Sequence, residues 1–235
     1  MISSKVMEYM RPLFDIISSA KGKTIGQIKD ELKIEREKMV KGASGLIVEN
    51  LLGMDNNNRD EADISEIGCE IKILPLQKNR NGEIKAKEPT AIQMINYMEV
   101  AQETWETAKL RKKIALTFWV VYLAKSNGKA LNQDDYVIVD YFLDHPTDVQ
   151  NGIFRKDWEE IQDYIKTGRA DELSCSMGTY LEPKTKGASN KDKTDAPDGH
   201  GGMISARRRA FYYKKRYTNT AIIPNLDLTI IKKND

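Results

Sequence analysis

The feature that most constrains the fold of this chain is a run of almost entirely apolar residues, Ile114–Ala124 (IALTFWVVYLA). The run is about half as long as the ~20 residues that a helix needs to cross a bilayer. Its β-branched and aromatic residues favour a central strand of a sheet, and Tyr136–Phe142 (YVIVDYF) predicts a second buried strand. The N-terminal residues lack an apolar stretch followed by a small-residue cleavage site, so they do not resemble a signal peptide. We therefore expect a cytoplasmic protein with no membrane partner.

Helical patterns surround these strands. Proline suits the first turn of a helix but not its middle, so a helix is expected to start close to Pro12. Thr24 and Gln27 have the spacing of a capping box, and Gly53 is placed to end a helix over Ala43–Leu52. The remaining elements are helices at Thr104–Lys113 and Asp157–Ile165, a strand at Cys69–Pro75, an ambiguous segment at Thr90–Met98 and a polar loop at Pro183–Gly202. Helices followed by strands mixed with helices predict an α/β (α+β) fold around a mixed sheet.

Charge is distributed unevenly along the chain. Lys and Arg number 37 against 35 Asp and Glu, a net charge of +2 that points to no partner. Lys184–Arg216, here called the basic segment, nevertheless holds ten basic and three acidic residues, and hence a net charge of +7. Aromatic residues are interleaved there, which suits a nucleic acid because cations neutralise phosphates while flat rings contact bases or sugars. An alternative explains the positive charge of the basic segment equally well: its charged residues form a solvent-exposed face, and its tyrosines belong to the core.

The candidate metal site consists of carboxylates. Cys69 and Cys175 lie far apart and outside any Cys/His cluster, which argues against a disulfide scaffold and a structural zinc site. Residues two apart on a strand face the same way, so Glu70 and Lys72 are expected to point together, with Asp63 close enough to join them. Two carboxylates suit Mg²⁺, which binds through one or two of them plus waters and phosphate oxygens. A neighbouring lysine is suited to orient or deprotonate a water, or to stabilise charge as phosphorus is attacked.

The pattern Glu-x-Lys is weak by itself, because the chain contains it four times. The other three occurrences are interpreted as surface pairs: Glu31/Lys33, Glu83/Lys85 and Glu182/Lys184. Only Glu70/Lys72 lies in an alternating apolar strand with an aspartate seven residues before it. Glu49 adds a carboxylate on the apolar face of its helix. Since a buried carboxylate needs a cation or a hydrogen-bond partner, Glu49 either joins the metal site or forms a structural salt bridge.

A set of motifs occurs in a fixed order from about Leu13 to Ile223. The motifs are Lys41-Gly42, Glu49, Asp63, Gly68-Cys69-Glu70-Ile71-Lys72 with Pro75, Thr104-Trp105-Glu106-Thr107 leading to Lys113, Asp157–Ile161, Tyr180–Asn190 and Arg209–Lys215. This order and spacing resembles the MutH family, which includes the mismatch-repair nickase MutH and the Sau-type restriction endonucleases that act at GATC. The ordered set is far more specific than Glu-x-Lys alone.

The resemblance implies a restriction-endonuclease-like PD-(D/E)xK core, with a mixed sheet flanked by helices and two lobes around a DNA cleft. It implies a single nuclease domain over 1–235, with a helical N-terminal segment (1–53), a catalytic core (about 54–145) and a DNA-recognition part (about 146–235). By the same analogy, Asp63, Glu70 and Glu49 hold Mg²⁺, Lys72 is the catalytic lysine and Lys113 is a further active-site lysine.

The resemblance also implies an interface for double-stranded DNA. Lys184 and Lys186 fall where the family contacts DNA from a recognition loop, and Tyr212 falls where the family senses adenine and its methylation. Lys184 stands in place of an arginine of the nickase, which affects base readout because lysine lacks the planar fork of arginine. The other expected DNA contacts are Lys41, Arg209, Lys214 and Lys215.

Within the family, three segments resemble the restriction branch more closely: Met94–Thr107, Gly168–Ser174 and Thr179–Ser189. The leading prediction is therefore a Mg²⁺-dependent type II restriction enzyme that cleaves duplex DNA at GATC. The alternatives are a MutH-like nickase controlled by a repair partner, and a non-catalytic DNA-binding effector domain. The intact set of Asp63, Glu70 and Lys72 argues against the last. A palindromic site favours a homodimer whereas the nickase branch acts as a monomer, so the oligomeric state stays open.

Overall fold

The computed structural model describes residues 2–34, 43–54, 61–189 and 191–232. The chain forms two compact units that alternate along the sequence. The first comprises Met1–Glu88, Leu116–His145 and Asn219–Asp235, and the second comprises Pro89–Ala115 and Pro146–Thr218. Within the described ranges, no helix combines the length and the apolar character that crossing a membrane requires.

Helices and strands both contribute to the fold, which confirms the predicted α/β (α+β) class. The helices are α1 (Ser4–Ala20), α2 (Ile25–Leu32), α3 (Ala43–Leu51), α4 (Tyr97–Val100), α5 (Lys109–Ile114), α6 (Asp148–Lys166), α7 (Lys215–Tyr217) and α8 (Thr229–Lys232). The strands are β1 (Glu70–Lys78), β2 (Ile84–Ala86), β3 (Thr90–Met94), β4 (Thr117–Ser126), β5 (Lys129–Ala130), β6 (Val137–Asp144), β7 (Leu181–Thr185), β8 (Lys193–Pro197), β9 (Met203–Arg207) and β10 (Arg209–Tyr213).

The first unit is built on a mixed sheet in the order β2-β1-β4-β5, with β6 also paired to β4. β1 and β4 run parallel, with Glu70 opposite Thr117, while the other pairs are antiparallel. Parallel strands need a long crossover connection, and here it runs from Lys78 to Thr117. β4 is buried from its first residue to Ala124, which confirms the central strand that the apolar run predicts.

Local signals set the helices of the first unit. The Thr24 hydroxyl accepts a hydrogen bond from the Gln27 backbone N, and the Gln27 amide oxygen accepts one from Thr24 N, which confirms the predicted capping box. α3 ends two residues before Gly53, whose φ of +68° matches the predicted helix stop. The prediction for Pro12 is wrong, because α1 starts at Ser4 and continues through Pro12. Burial of the apolar face of α1 in the core offsets the backbone hydrogen bond that proline removes.

The second unit combines an antiparallel sheet, in the order β3-β10-β7, with the hairpin β8-β9. α6 buries Phe154, Trp158, Ile161 and Ile165, which confirms its predicted apolar face. The ring of Phe154 lies 5.9 Å from that of the fully buried Tyr213, measured between centroids. Tyrosines of the basic segment therefore belong in part to the core, as the alternative interpretation of the charge pattern expects.

The prediction of a polar loop over Pro183–Gly202 is wrong. Pro183 lies within β7, and β8 pairs with β9 from Lys193 opposite Arg207 to Pro197 opposite Met203. Ala196 is the fully buried residue of β8, so this strand has almost no apolar pattern to reveal it. The ambiguous segment Thr90–Met98 contains β3 followed by the start of α4, and the helix predicted over Thr104–Lys113 is reduced to α5.

Candidate functional site

The turn before β1 brings a carboxylate to the start of that strand. Ile64 and Cys69 exchange backbone hydrogen bonds of 2.9 and 3.1 Å, and Gly68 between them has a φ of +65°, which favours glycine. The chain folds back at this turn, so that Asp63 Oδ2 accepts a 2.7 Å hydrogen bond from the backbone N of Ile71. Asp63 and Glu70 therefore lie at the same end of β1.

Glu70 and Lys72 form a largely buried ion pair. The Nζ of Lys72 lies 2.9 Å from Oε2 of Glu70, and their side chains are 15% and 2% exposed. The contact confirms that the two side chains lie on one face of β1, while Cys69 and Ile71 pack into the core on the other. Burial raises the pKa of the Cys69 thiol to about 12.

Glu49 lies within electrostatic range of these residues. It is half-buried on α3, beside the buried Ile47 and Val48. Burial raises the pKa of the Glu49 carboxyl, the charge of Asp63 raises it further, and the charge of Lys72 opposes both effects. The structure thus brings Glu49, Asp63, Glu70 and Lys72 together; we call the three carboxylates the acidic cluster.

The acidic cluster suits a hard divalent cation that needs few protein ligands. In the part of the chain that the structure describes, no three His, Cys, Asp or Glu side chains converge closely enough to hold a metal by themselves. Mg²⁺ requires only one or two carboxylates, with waters and phosphate oxygens as its other ligands. Asp63 and Glu70 meet that requirement. Burial is the main cause of the raised pKa of Glu49, and the repulsion from Asp63 that adds to it is the kind that a nearby cation relieves.

The geometry of this cluster does not test the predicted roles of two lysines. Lys113 lies on α5 at a half-buried position and belongs to the second unit, whereas the acidic cluster belongs to the first. Lys41 lies outside the described residues. Their predicted roles therefore stay predictions.

Three of the predicted DNA-contact residues converge in the second unit. The Nζ atoms of Lys184 and Lys186 lie 5.5 and 6.0 Å from the centroid of the Tyr212 ring, which is within the range of a cation–π interaction. Phe211 and Tyr213, the neighbours of Tyr212 on β10, are fully buried. Since side chains alternate along a strand, Phe211 and Tyr213 share the face that Tyr212 does not use.

The other predicted DNA contacts have different environments. Arg209 is 3% exposed and donates a 3.0 Å hydrogen bond to the backbone O of Asp171, and burial lowers its pKa. Lys214 donates hydrogen bonds of 2.7 and 2.9 Å to the backbone O atoms of Met177 and Gly178. Lys215 is exposed. Arg209 and Lys214 thus stabilise the second unit, whereas Lys215 faces solvent.

Sequence reasoning missed a buried aspartate that fixes the start of β7. Asp157 on α6 is 3% exposed, and its carboxylate accepts hydrogen bonds of 2.9, 2.6 and 2.9 Å from the backbone N atoms of Thr179, Tyr180 and Leu181. Lys214 holds the carbonyls just before these residues. The available signal was an aspartate on the apolar face of α6, next to Trp158.

Sequence reasoning also misjudged one of the Glu-x-Lys pairs. Glu83 and Lys85 are surface residues as predicted, with side chains 51% and 34% exposed. Glu182, in contrast, is only 6% exposed. The interpretation of Glu182/Lys184 as a surface pair is therefore wrong, because β7 is the partner of β10 in a sheet and not part of a loop.

Comparison with known proteins supports the family resemblance. Residues 52–157 match the family model described as the DNA mismatch repair enzyme MutH. The chain is 33% identical over 193 residues to the type II restriction enzyme Sau3AI of Staphylococcus aureus. The matched region covers 80% of this chain and 38% of that enzyme. It is 26% identical over 226 residues to the DNA mismatch repair protein MutH of Haemophilus influenzae, covering 95% of this chain and 98% of that protein.

A third relative, MutH of Haemophilus ducreyi, is 29% identical over 210 residues, which is 87% of this chain and 88% of that protein. The chain thus spans nearly the whole of the mismatch-repair relatives but well under half of the restriction enzyme. The two groups of relatives share the region that contains the acidic cluster. The chain belongs to the family that comprises MutH and the Sau-type restriction endonucleases.

Proposed function

We propose that this protein is a Mg²⁺-dependent DNA endonuclease, and specifically a type II restriction enzyme of the Sau type that hydrolyses phosphodiester bonds at GATC. The observation that carries the proposal is the buried Glu70–Lys72 ion pair beside the Asp63 carboxylate. The higher identity to the restriction enzyme, 33% against 26%, supports this branch. Double-stranded DNA is the proposed substrate, and the proposed setting is a restriction–modification system in the cytoplasm.

The residues of the acidic cluster have distinct proposed roles. Mg²⁺, when bound, polarises the scissile phosphate and lowers the pKa of a bound water. Asp63 is held for metal binding by the backbone N–H of Ile71, and Glu70 supplies the second carboxylate. Lys72 neutralises Glu70 and is placed to orient the attacking water or to stabilise charge on the phosphate. Glu49 completes the acidic site, and the products are a 3′-hydroxyl and a 5′-phosphate.

The proposed DNA contacts lie mainly on the second unit. Lys184 and Lys186 flank the Tyr212 ring, an arrangement suited to contact phosphates and base edges together. Lys215 is exposed and able to contact a phosphate. Lys41 as a DNA contact and Lys113 as an active-site lysine remain part of the proposal by family resemblance. Arg209 and Lys214 are assigned to holding the recognition strands in place.

A MutH-like nickase is the second candidate. It is favoured by the coverage of 98% of the Haemophilus influenzae protein, against 38% of the restriction enzyme. Such an enzyme would cut only an unmethylated strand and would depend on a repair partner. A non-catalytic DNA-binding module is the third, and the presence of Asp63, Glu70 and Lys72 at one end of β1 argues against it.

One assay separates these candidates. The protein is incubated with Mg²⁺ and supercoiled plasmid in Dam-methylated and unmethylated forms, with EDTA as the metal-free control. Linear fragments ending at GATC in both plasmids support the restriction enzyme, and nicking confined to unmethylated DNA supports the nickase. Binding without cleavage of either plasmid contradicts the endonuclease proposal.

Matched variants test whether any cleavage comes from the acidic cluster. Glu70→Ala is expected to abolish cleavage, whereas Glu83→Ala, which alters an exposed Glu-x-Lys pair in the same unit, is expected to retain it. Equal activity of both variants would assign the cleavage to a contaminant. Sedimentation with and without a GATC duplex then tests whether the protein is a monomer or a homodimer, and limited proteolysis tests the proposed single domain over 1–235.

A further inference from the structure

Glu182 on β7 has an environment unlike those of the other buried carboxylates. It is 6% exposed, and among the described residues the structure gives its carboxylate no hydrogen-bond donor. Glu70 is paired with Lys72, Asp140 accepts a hydrogen bond from the backbone N of Asp227, and Asp157 accepts three from backbone N–H groups. The side chain is mostly buried, but its oxygens are not fully enclosed, so they are able to accept a hydrogen bond from a ligand at this surface.

The strand register shows where Glu182 faces. Glu182 is paired with Tyr212 across β7 and β10, and directly opposite residues of an antiparallel pair share one face of the sheet. Lys184, two residues along β7, shares that face as well. The opposite face carries Phe211 and Tyr213, which are fully buried in the core of the second unit. Glu182 therefore lies beside the residues proposed to contact DNA.

The charges around Glu182 suit an anionic acceptor. Burial raises the pKa of its carboxyl, while the positive charges of Lys214, Lys184 and Lys215 lower it. Lys214 is hydrogen-bonded to backbone carbonyls, and the Lys184 ammonium lies over the Tyr212 ring. The lysines thus stabilise the ionised form of Glu182 through their charge, and the carboxylate oxygens stay available as hydrogen-bond acceptors.

We propose that Glu182 is a base-reading residue, whose carboxylate accepts a hydrogen bond from the exocyclic amino group of an adenine or a cytosine in the major groove. An ionised carboxylate only accepts hydrogen bonds. In the major groove the donors on base edges are the N6 amino group of adenine and the N4 amino group of cytosine. The proposal rests on the proposed function as a DNA-recognising enzyme, and it adds a residue to the determinants of sequence choice.

Neighbouring side chains explain how such a contact forms. Long lysine side chains cover adjacent surface with their stems while the ammonium group stays mobile. When Lys184 on β7 and Lys186 just after it turn towards phosphates or guanine acceptors, they uncover the Glu182 carboxylate. Tyr212, paired with Glu182 in the register, then packs against the base that Glu182 reads.

The experiment measures binding of the full chain to short duplexes by fluorescence anisotropy, with Ca²⁺ in place of Mg²⁺ to prevent cleavage. One duplex contains GATC, and two others lack a single amino group, through purine in place of adenine or 2-pyrimidinone in place of cytosine. For the wild-type protein, removal of the amino group that is read is expected to weaken binding about 5- to 150-fold. Glu182→Ala is expected to bind the parent duplex more weakly and to show no further loss on that analogue.

Two further variants distinguish a loss of base reading from a loss of folding. Glu182→Gln retains the shape of the side chain but adds an amide donor, and it is expected to weaken discrimination with an unchanged melting temperature or a higher one. Glu160→Gln alters an exposed carboxylate of the same unit and is expected to match the wild type. If Glu182→Ala loses as much affinity on the analogue as the wild type does, the inference is overturned.

Failure of the GATC proposal gives a separate result. If the wild-type protein binds GATC and a scrambled duplex equally, that specificity is contradicted, and each variant is then used to select sites from a random duplex pool. An altered preference at one adenine or cytosine position in the Glu182→Ala selection supports base reading by Glu182. Identical selected sites for both proteins overturn it.

Discussion

The Nζ of Lys72 lies 2.9 Å from Oε2 of Glu70, and the Glu70 side chain is 2% exposed. In the absence of a metal, Lys72 is thus the cation that neutralises a buried carboxylate. A catalytic metal bound at Glu70 would take over that task. The stability of the protein and its metal binding are therefore coupled through this pair.

Lys72→Met is expected to lower the free energy of unfolding by about 3 kcal/mol in EDTA, because it removes the cation that is paired with the buried Glu70 charge. Mg²⁺ should recover part of that loss, since a bound cation replaces the missing charge. Cleavage should fall by at least about 100-fold. Urea unfolding with and without Mg²⁺ measures the first two effects, and Lys85→Met at an exposed pair is the control. A loss that does not respond to Mg²⁺ would contradict the assignment of Glu70 as a ligand.

Gly178→Ala is expected to destabilise the protein far more than Gly201→Ala. Both glycines have positive φ, +68° and +95°, so both alanines cost about 1–2 kcal/mol for backbone conformation. A Cβ at Gly178 would lie 2.1 Å from the backbone O of Leu181, whereas a Cβ at Gly201 meets nothing within 4 Å. Chemical denaturation of the two variants gives the difference, and equal losses would show that the turn before β7 relaxes freely.

Asp157→Asn is expected to cost about 2–4 kcal/mol, because it replaces a charged acceptor of three backbone N–H groups. The exposed Glu160→Gln on the same helix should cost less than about 0.5 kcal/mol. Asp157 holds Leu181, the first residue of β7, and β7 carries the proposed DNA contact Lys184. The affinity for DNA should therefore also fall in the Asp157 variant. Thermal unfolding and anisotropy on the same samples test both expectations. A loss of stability with unchanged affinity would separate Asp157 from recognition.

Glu182→Gln is expected to be more stable than the wild type at neutral pH. Burial raises the pKa of Glu182 in the folded protein, so the folded state binds more protons than the unfolded state above the ordinary glutamate pKa of about 4.3. The wild type therefore loses stability as the pH rises above that pKa. The glutamine variant has no carboxyl group at this position, so it does not lose this stability. Urea unfolding at about pH 4.5 and at about pH 7.5 should give a larger difference at the higher pH. A difference that is constant with pH would contradict burial as its cause.

Lys186→Ala is expected to change the salt dependence of DNA binding, whereas Arg209→Ala is expected to change the stability of the protein. Loss of a phosphate contact at Lys186 should reduce the slope of log affinity against log salt by about 1, with little change in stability. Arg209 is 3% exposed, so its replacement should lower stability by about 1–3 kcal/mol and leave the salt slope unchanged. Binding titrations over a range of salt, together with melting curves, separate the two. Similar salt slopes for both variants would refute the distinction.

The sequence predicted the features that depend on neighbouring residues. The capping box of Thr24 and Gln27, the stop at Gly53 and the shared face of Glu70 and Lys72 each follow from spacing within one segment. The apolar face of α6 follows from helical periodicity in the same way. These elements were predictable because their determinants are local.

Features that depend on distant pairing were not predictable. β8 contains little apolar sequence, and it forms because β9 supplies its hydrogen bonds. Glu182 is buried only because β10 lies beside β7, and Arg209 is buried among groups such as Asp171 that are remote in sequence. Pro12 lies inside α1 because packing of that helix against the core outweighs the local preference of proline. In each case the deciding interaction involves residues that are distant in the sequence.

The order of the two units along the chain limits how such a protein can be divided. The backbone passes between the units at Glu88–Pro89, Ala115–Leu116, His145–Pro146 and Thr218–Asn219. A segment of the second unit is itself the crossover that joins the parallel strands β1 and β4. No single contiguous fragment therefore contains one complete unit without part of the other. Exchange of the whole second unit between relatives by recombination would require the two segments Pro89–Ala115 and Pro146–Thr218 to be replaced together.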